Sequence, residues 1–436
     1  FYALVNSKKN KGYSEKFLTS AGSNKSVELQ SPNPKAVNYF IVNRLIQCVN
    51  GTNEESSWKS SRVVWRAGLL RIREAVPHLV KLLKKKDFLF QYCNLWALGR
   101  CGSQEHLPLV IDFIQNENTP SMVRRIAFAT AIELCGTKPN REVLNPLIDL
   151  LPEFLKNNFE HLNSSDIHRI FEEHLFNNKT SQFGYLTTLY LLSKHYSFIV
   201  EPLLQILSKV PLKPNYFREI RYIYKIAEFR DDAAVLGRLM YSIQKNNPYI
   251  TGKNSAYIDG MYLNISRKEF SKANAKIAYS KSTREYFIRR SIKTLRHFGE
   301  TGSSLYTSYA CEMLLQFNDD VDVGSPEFKE WRGYINRTWS TIITHFDAYS
   351  NFRIFFYVLY SSSPRYETND IFEKMRCTGN YKPGEPGPNV REEGFQKLWD
   401  QDPNSLIRLL SESKCGRVHE FPYKALKGNS GHNERI

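Results

Sequence analysis

The chain is expected to fold as an all-α protein, an α-solenoid of stacked antiparallel helix pairs with an irregular helical part towards its C-terminal end. Three observations carry that expectation. Trp65-Arg66-Ala67-Gly68-Leu69, running on to Pro77 and Leu79-Val80-Lys81-Leu82-Leu83, is echoed 31 residues later by Trp96-Ala97-Leu98-Gly99-Arg100, Pro108 and Val110-Ile111-Asp112-Phe113-Ile114. A fixed period of roughly 20–50 residues marks supersecondary units that bury their apolar faces only by stacking. Apolar residues also recur at helical spacing through most of the chain, and strand-like alternation is scarce.

Taken in order, residues 1–35 hold Lys8, Lys9, Lys11, Lys16 and Lys25 among Ser, Asn and Gly, and predict a basic, loosely structured arm. From Pro34, Val37, Phe40, Ile41, Leu45 and Ile46 predict a helix that Gly51-Thr52-Asn53 ends. Residues 57–135 predict paired short helices, and a third unit opens at Val123-Arg124-Arg125-Ile126-Ala127. Its second helix, around Val143-Leu144, comes late, so the loop before it is longer. Helical patterns follow at about 165–176, 184–208, 215–228 and 232–245, then at about 266–298, 303–317, 326–345 and 351–360. A Pro/Gly-rich stretch from Cys377 to Pro388 predicts a loop, and Pro403–Leu410 with Val418–Phe421 predicts one more divergent helical repeat. The organisation is therefore an arm (1–35), helical repeats (36–250), a basic helical region continuing the solenoid (251–362) and a loop-rich end (363–436).

The block over about residues 57–150 resembles HEAT repeats, in particular the short variety of phycobilisome-lyase-like proteins. The residues that carry the likeness are Trp96-Ala97-Leu98-Gly99, Leu107-Pro108-x-Val110-x-x-Phe113-Ile114 and the Val123-Arg124-Arg125-x-Ala127 opening. The resemblance implies architecture, because HEAT arrays serve scaffolds, transport factors, lyases and DNA-binding enzymes alike.

With 60 Lys+Arg against 44 Asp+Glu, the chain carries a formal charge of +16, which points to a polyanionic partner, nucleic acid or an acidic protein or membrane surface. Seven scattered cysteines without a CxxC pair argue against a zinc ribbon or disulfide scaffold and for a reducing, cytoplasmic (or nuclear) compartment. Six Asn-x-Ser/Thr sequons, in an Asn- and Ser-rich chain, are weak evidence for secretion. No segment reaches the roughly 18 apolar residues of a membrane span, and there is no signal-peptide pattern. Phe1 in place of Met suggests a chain trimmed or cut from a longer protein.

The sharpest electrostatic feature lies between Arg267 and His297, where ten basic residues meet only Glu269 and Glu285. Ile288, Ile292 and Leu295 form an i, i+4, i+7 stripe that would face the core. Arg289, Lys293 and Arg296 lie one position further round, with Lys276, Lys281, Arg284 and Arg290 alongside. Such a row could neutralise backbone phosphates, and Tyr279 and Tyr286 interleave as stacking rings would. The competing interpretation is a solvated face, or arginines that stitch helices together. Lys81, Lys84, Lys85 and Lys86 form a smaller cluster that a helix C-terminal dipole explains. Trp65 and Trp96 read as packing between repeats rather than ligand stacking, since they follow the period.

No catalytic residue, metal site or cofactor is predicted. His168 and Glu172 share a helix face, but no His-Glu-x-x-His is present, and there is no Gly-x-Gly-x-x-Gly, P-loop or Gly-x-Ser-x-Gly motif. The leading expectation is a non-enzymatic scaffold or recognition module that holds a polyanion, nucleic acid first, on its basic face. The alternatives are a protein-interaction or regulatory subunit of a larger complex, a DNA glycosylase-like enzyme for alkylated bases (with Asp112, Asp166 and Asp259 as candidates by type alone) and a phycobilin lyase.

Overall fold

The computed structural model describes residues 34–51, 57–175, 184–212, 214–248, 255–258, 261–264, 280–335, 338–369, 374–378, 381–388 and 390–428. The arm read over 1–35 lies almost wholly outside them. The first described helix, α1 (Pro34–Asn50), stops at Gly51, whose φ of +70° suits a residue without Cβ.

Three helix pairs follow at the sequence period: α2 (Ser57–Leu69) with α3 (Val76–Leu82), α4 (Phe88–Cys101) with α5 (Leu107–Gln115), and α6 (Ser121–Leu134) with α7 (Arg141–Asp149). Pro77 and Pro108 sit in the first turns of α3 and α5, where a missing N–H leaves no bond unmade. Asp87 caps α4 by accepting from Phe90 N at 2.9 Å. The first helices α2, α4 and α6 pack one on the next, and α3 and α5 pack against α4 and α6. In that row Trp65 and Trp96 stack with ring centroids 3.7 Å apart and planes 11° from parallel. Gly68 makes the approach possible: a Cβ there would lie 2.6 Å from the Trp96 ring and 2.8 Å from Ala97 Cα.

The next helices are α8 (Glu153–Lys156), α9 (Ser164–Leu175), α10 (Tyr185–Leu192), α11 (Val200–Leu207), α12 (Pro214–Arg230) and α13 (Ala233–Lys245). The helix expected over 184–208 is thus two, separated by a turn and a short 3-10 segment at Ser197–Ile199. The long helix α12 returns to the start of the chain and meets α4 at the C-terminal ends of both. Trp96 packs on Phe229 at 6.1 Å. The Arg100 guanidinium donates to Gly68 O (3.0 Å), Phe229 O (2.6 Å) and both Asp231 oxygens (3.2 Å). Arg230 repeats the device one helix on, donating to Tyr190 O (2.9 Å) and Leu191 O (3.2 Å) at the end of α10. A cation at helix-terminal carbonyls satisfies orphan acceptors and complements the helix dipole.

The C-terminal half contains α14 (Lys281–Glu300), α15 (Leu305–Leu314), α16 (Asp319–Asp322), α17 (Arg353–Tyr360), α18 (Gln396–Asp400), α19 (Pro403–Glu412) and α20 (Gly416–Gly428). It shares one continuous apolar core with the N-terminal half, from Ile41 to Leu426. Helix α13 lies close on α15, where a Cβ at Gly237 would lie 2.6 Å from Glu312 Cβ and 2.7 Å from Met313 N. Because the obstruction includes backbone, Gly237→Ala is expected to lower stability by about 1–3 kcal/mol, read as a lower urea midpoint with an unchanged slope.

The protein is mostly helical, but not all-α. Strands β1 (Ser255–Ile258) and β2 (Met261–Asn264) pair as a two-stranded sheet. β3 (Glu327–Ile335), β4 (Thr338–Phe346), β5 (Tyr366–Asn369) and β6 (Lys374–Cys377) form an antiparallel sheet in the order β3-β4-β6-β5. The segment read as helical over 326–345 is therefore a strand pair, in register from Glu327↔Phe346 to Ile335↔Thr338. Its composition accounts for the difference: Thr338, Trp339, Thr341, Ile342, Ile343 and Thr344 are β-branched or aromatic, with χ1 preferences that favour a pleated surface. All seven cysteines are free, six of them buried, and burial pushes the Cys93 and Cys311 thiols up to about 12. Among the described residues no helix is long and apolar enough to cross a membrane.

Candidate polyanion interface

Helix α14 carries the basic stretch, and its rotation divides the sequence-predicted residues among different neighbours. Ser280 caps it, accepting from Thr283 N at 3.2 Å. Ile288 and Leu295 are buried and Ile292 half-buried, so the apolar stripe faces the core, with Phe287 edge-on to Phe217 and Tyr224. Arg289, Lys293 and Arg296 are exposed on the adjoining stripe and line one open trough of about 750 Å³. Its opposite wall is α17 and β5, which contribute Arg353, Tyr357, Tyr360 and Tyr366.

The charges around this trough are unevenly engaged. Arg353 is held by Glu285 beneath α14, and Glu367 is engaged by Arg376. The Arg296 guanidinium lies 6.0 Å from the Tyr357 ring centroid, placing a cation against an aromatic face. Glu300 is exposed at the end of the row. His297, also in the wall, has its pKa lowered by burial and then by Arg66, so it is neutral at pH 7 and adds no charge.

The other predicted residues lie elsewhere. Arg284 is half-buried and braces the end of α13, donating to Gln244 O at 2.8 Å. Arg290 points to the far side of α14, where its Nε donates to both Glu228 oxygens (2.9 and 3.0 Å) and its guanidinium donates to the Tyr286 hydroxyl (2.6 Å). Lys281 is exposed in the first turn of α14, and Lys276 and Tyr279 lie outside the described residues. In the smaller lysine cluster, Lys85 donates to Cys48 O at 3.0 Å, which caps the end of α1.

Arg290 and Tyr286 border a second concavity, between α4, α12 and α14, of about 330 Å³. It shares Tyr92, Trp96 and Lys225 with a chamber of about 240 Å³ among α4, α6, α10 and α12. Lys225 has its pKa lowered to about 8, by burial first and then by Arg221 and Arg290, against the opposing pull of Glu228. A folded pKa below the unfolded value means that holding this proton costs stability. The contribution is present in full above the unfolded lysine pKa and is lost as pH falls through about 8. Lys225→Met is therefore expected to raise stability at pH 7 by about 1–3 kcal/mol and to leave it unchanged at pH 11, checked by urea unfolding at both pH values.

Sequence reasoning missed Arg353, Tyr357 and Tyr360, although their i, i+4, i+7 spacing is the same as that of Arg289, Lys293 and Arg296. Among the described residues no three His, Cys, Asp or Glu side chains gather into a metal-binding group. No protein-family model matches the chain, and neither a curated protein nor a solved structure matches it.

Proposed function

We propose that this chain is a non-enzymatic recognition module, a HEAT-like helical scaffold that binds nucleic acid through the exposed face of α14. The 31-residue repeat and the successive packing of α2, α4 and α6 support the scaffold. The observation that carries the binding function is the row Arg289, Lys293, Arg296, three exposed cations opening on one trough with tyrosines in its far wall. Seven residues of helix rise about 10 Å, so the three cations follow one another along the wall of the trough, as contact with successive backbone phosphates requires. Tyr357 and Tyr360 supply ring faces beside the row, as single-strand binding requires. Fluorescence anisotropy with labelled single-stranded DNA, single-stranded RNA, duplex DNA and a poly-glutamate peptide tests the proposal. Preference for a single strand over poly-glutamate of equal charge supports it. Preference for the acidic peptide turns the same face into a protein-docking surface.

A further inference from the structure

We infer that the inner cleft, on the opposite side of α14 from the trough, is a separate binding site for a small planar anion, a heteroaromatic ring of mononucleotide size bearing a phosphate. The site goes beyond the strand-binding face and shares none of its three cations.

Its size is the first argument. Taken together, the adjoining chambers of about 240 and 330 Å³ fall in the range of small-molecule sites, and are far too small for a duplex. The contact of α12 with α4 at their C-terminal ends bounds one end of the space.

The walls define the ligand. The stacked Trp65–Trp96 pair and Tyr92 form one side, and Tyr222 lies opposite on α12. Aromatic walls of this kind favour a flat ring, which gains stacking as well as burial. Four cations line the two chambers: Arg125 from α6, Arg221 and Lys225 from α12, and Arg290 from α14, which Glu228 engages. Arg125 is held 4.3 Å above the Tyr222 ring, which fixes its plane.

The carboxylates nearby are already engaged. Glu219 accepts from the Thr187 hydroxyl at 2.6 Å, and Glu228 is the bidentate partner of Arg290. One guanidinium nitrogen on each of two arginines, Arg125 Nη1 and Arg221 Nε, is buried without a hydrogen-bond partner among the described residues. A buried donor left unmade is costly, and folded chains keep few of them. A phosphate has acceptor oxygens enough for both arginines and for the Lys225 ammonium.

Isothermal titration calorimetry of the full chain with AMP, GMP, CMP and UMP tests the site, with the matching nucleosides and inorganic phosphate as the two halves of each ligand. At least one mononucleotide is expected to bind with Kd below about 1 mM, and its nucleoside and free phosphate each at least about 10-fold more weakly. Arg125→Gln and Arg221→Gln, made singly, are each expected to weaken binding about 10-fold. Replacing Arg289, Lys293 and Arg296 by Glu is expected to leave it unchanged, which separates this site from the strand-binding face. A readout that needs no variant is acetylation of Lys225 by limiting acetic anhydride, followed by peptide mass spectrometry, which the bound nucleotide is expected to suppress. The inference is overturned if no mononucleotide binds, if nucleoside alone binds as well, if both arginine variants bind like wild type, or if Lys225 is acetylated equally with and without nucleotide.

Discussion

Replacing Arg289, Lys293 and Arg296 together by Glu is expected to weaken binding of a single-stranded oligonucleotide by about 100-fold or more at 50 mM salt, with no loss of thermal stability. The effect is large because three attractions become three repulsions on one exposed face, opposite the phosphates they would meet. Stability is spared because all three side chains are exposed, and surface charges contribute little to folding. Arg290, next in sequence, belongs in a different experiment. Its guanidinium is the bidentate partner of Glu228, and its loss would strand that carboxylate in a half-buried site. A variant that combined Arg289 and Arg290 would mix lost binding with lost folding.

Arg100→Met is expected to have the largest effect on stability, about 3–5 kcal/mol, read as a fall in the urea midpoint. The Arg100 side chain is only 6% exposed and joins two stretches that are distant in sequence from it and from each other: Gly68 at the end of α2, and the end of α12 with the turn that follows, through Phe229 and Asp231. Asp231 adopts φ +56°, a left-handed conformation that Asp tolerates better than most residues, and the guanidinium holds it there. Methionine fills similar volume but leaves three carbonyls (Gly68, Glu228 and Phe229) and a carboxylate without this donor. Arg100→Lys is expected to recover only part of the loss, since a single ammonium cannot reproduce the planar fork that reaches all of these partners. Destabilisation below about 1 kcal/mol for Arg100→Met would mean that α12 is held against α4 by its apolar contacts alone.

The parts of the fold that were legible in the sequence are those set by local periodicity. Trp65 and Trp96 repeat at 31 residues and end as neighbours in one row of helices, because consecutive units meet through equivalent surfaces. Pro77 and Pro108 mark helix starts, and Gly51 marks a stop. On α14 the i, i+4, i+7 spacing separated core-facing Ile288 and Leu295 from exposed Arg289, Lys293 and Arg296. The strand pair β3–β4 escaped notice because Trp331, Ile335, Trp339 and Ile342 fall close enough to helical spacing to satisfy that pattern too. Their β-branched and aromatic neighbours were the better guide.

What the sequence did not disclose depends on pairs remote along the chain. Arg289 and Arg290 look interchangeable in one dimension, yet one helical step of about 100° sends Arg290 to Glu228, 62 residues away. Arg100 reaches Phe229 across 129 residues. The inner cleft draws Tyr92, Arg125, Tyr222 and Lys225 from three helices, and no local spacing brings them together before the chain has folded.

The most direct test of the proposed strand binding is the salt dependence of single-stranded oligonucleotide affinity, for the wild type and the Arg289/Lys293/Arg296→Glu variant side by side. Three phosphate contacts predict that the slope of log K against log salt is about 2 units steeper in the wild type, since each contact releases roughly 0.7 counterion from a single strand. Equal slopes in two equally folded proteins would contradict the account and remove nucleic acid from this face of α14.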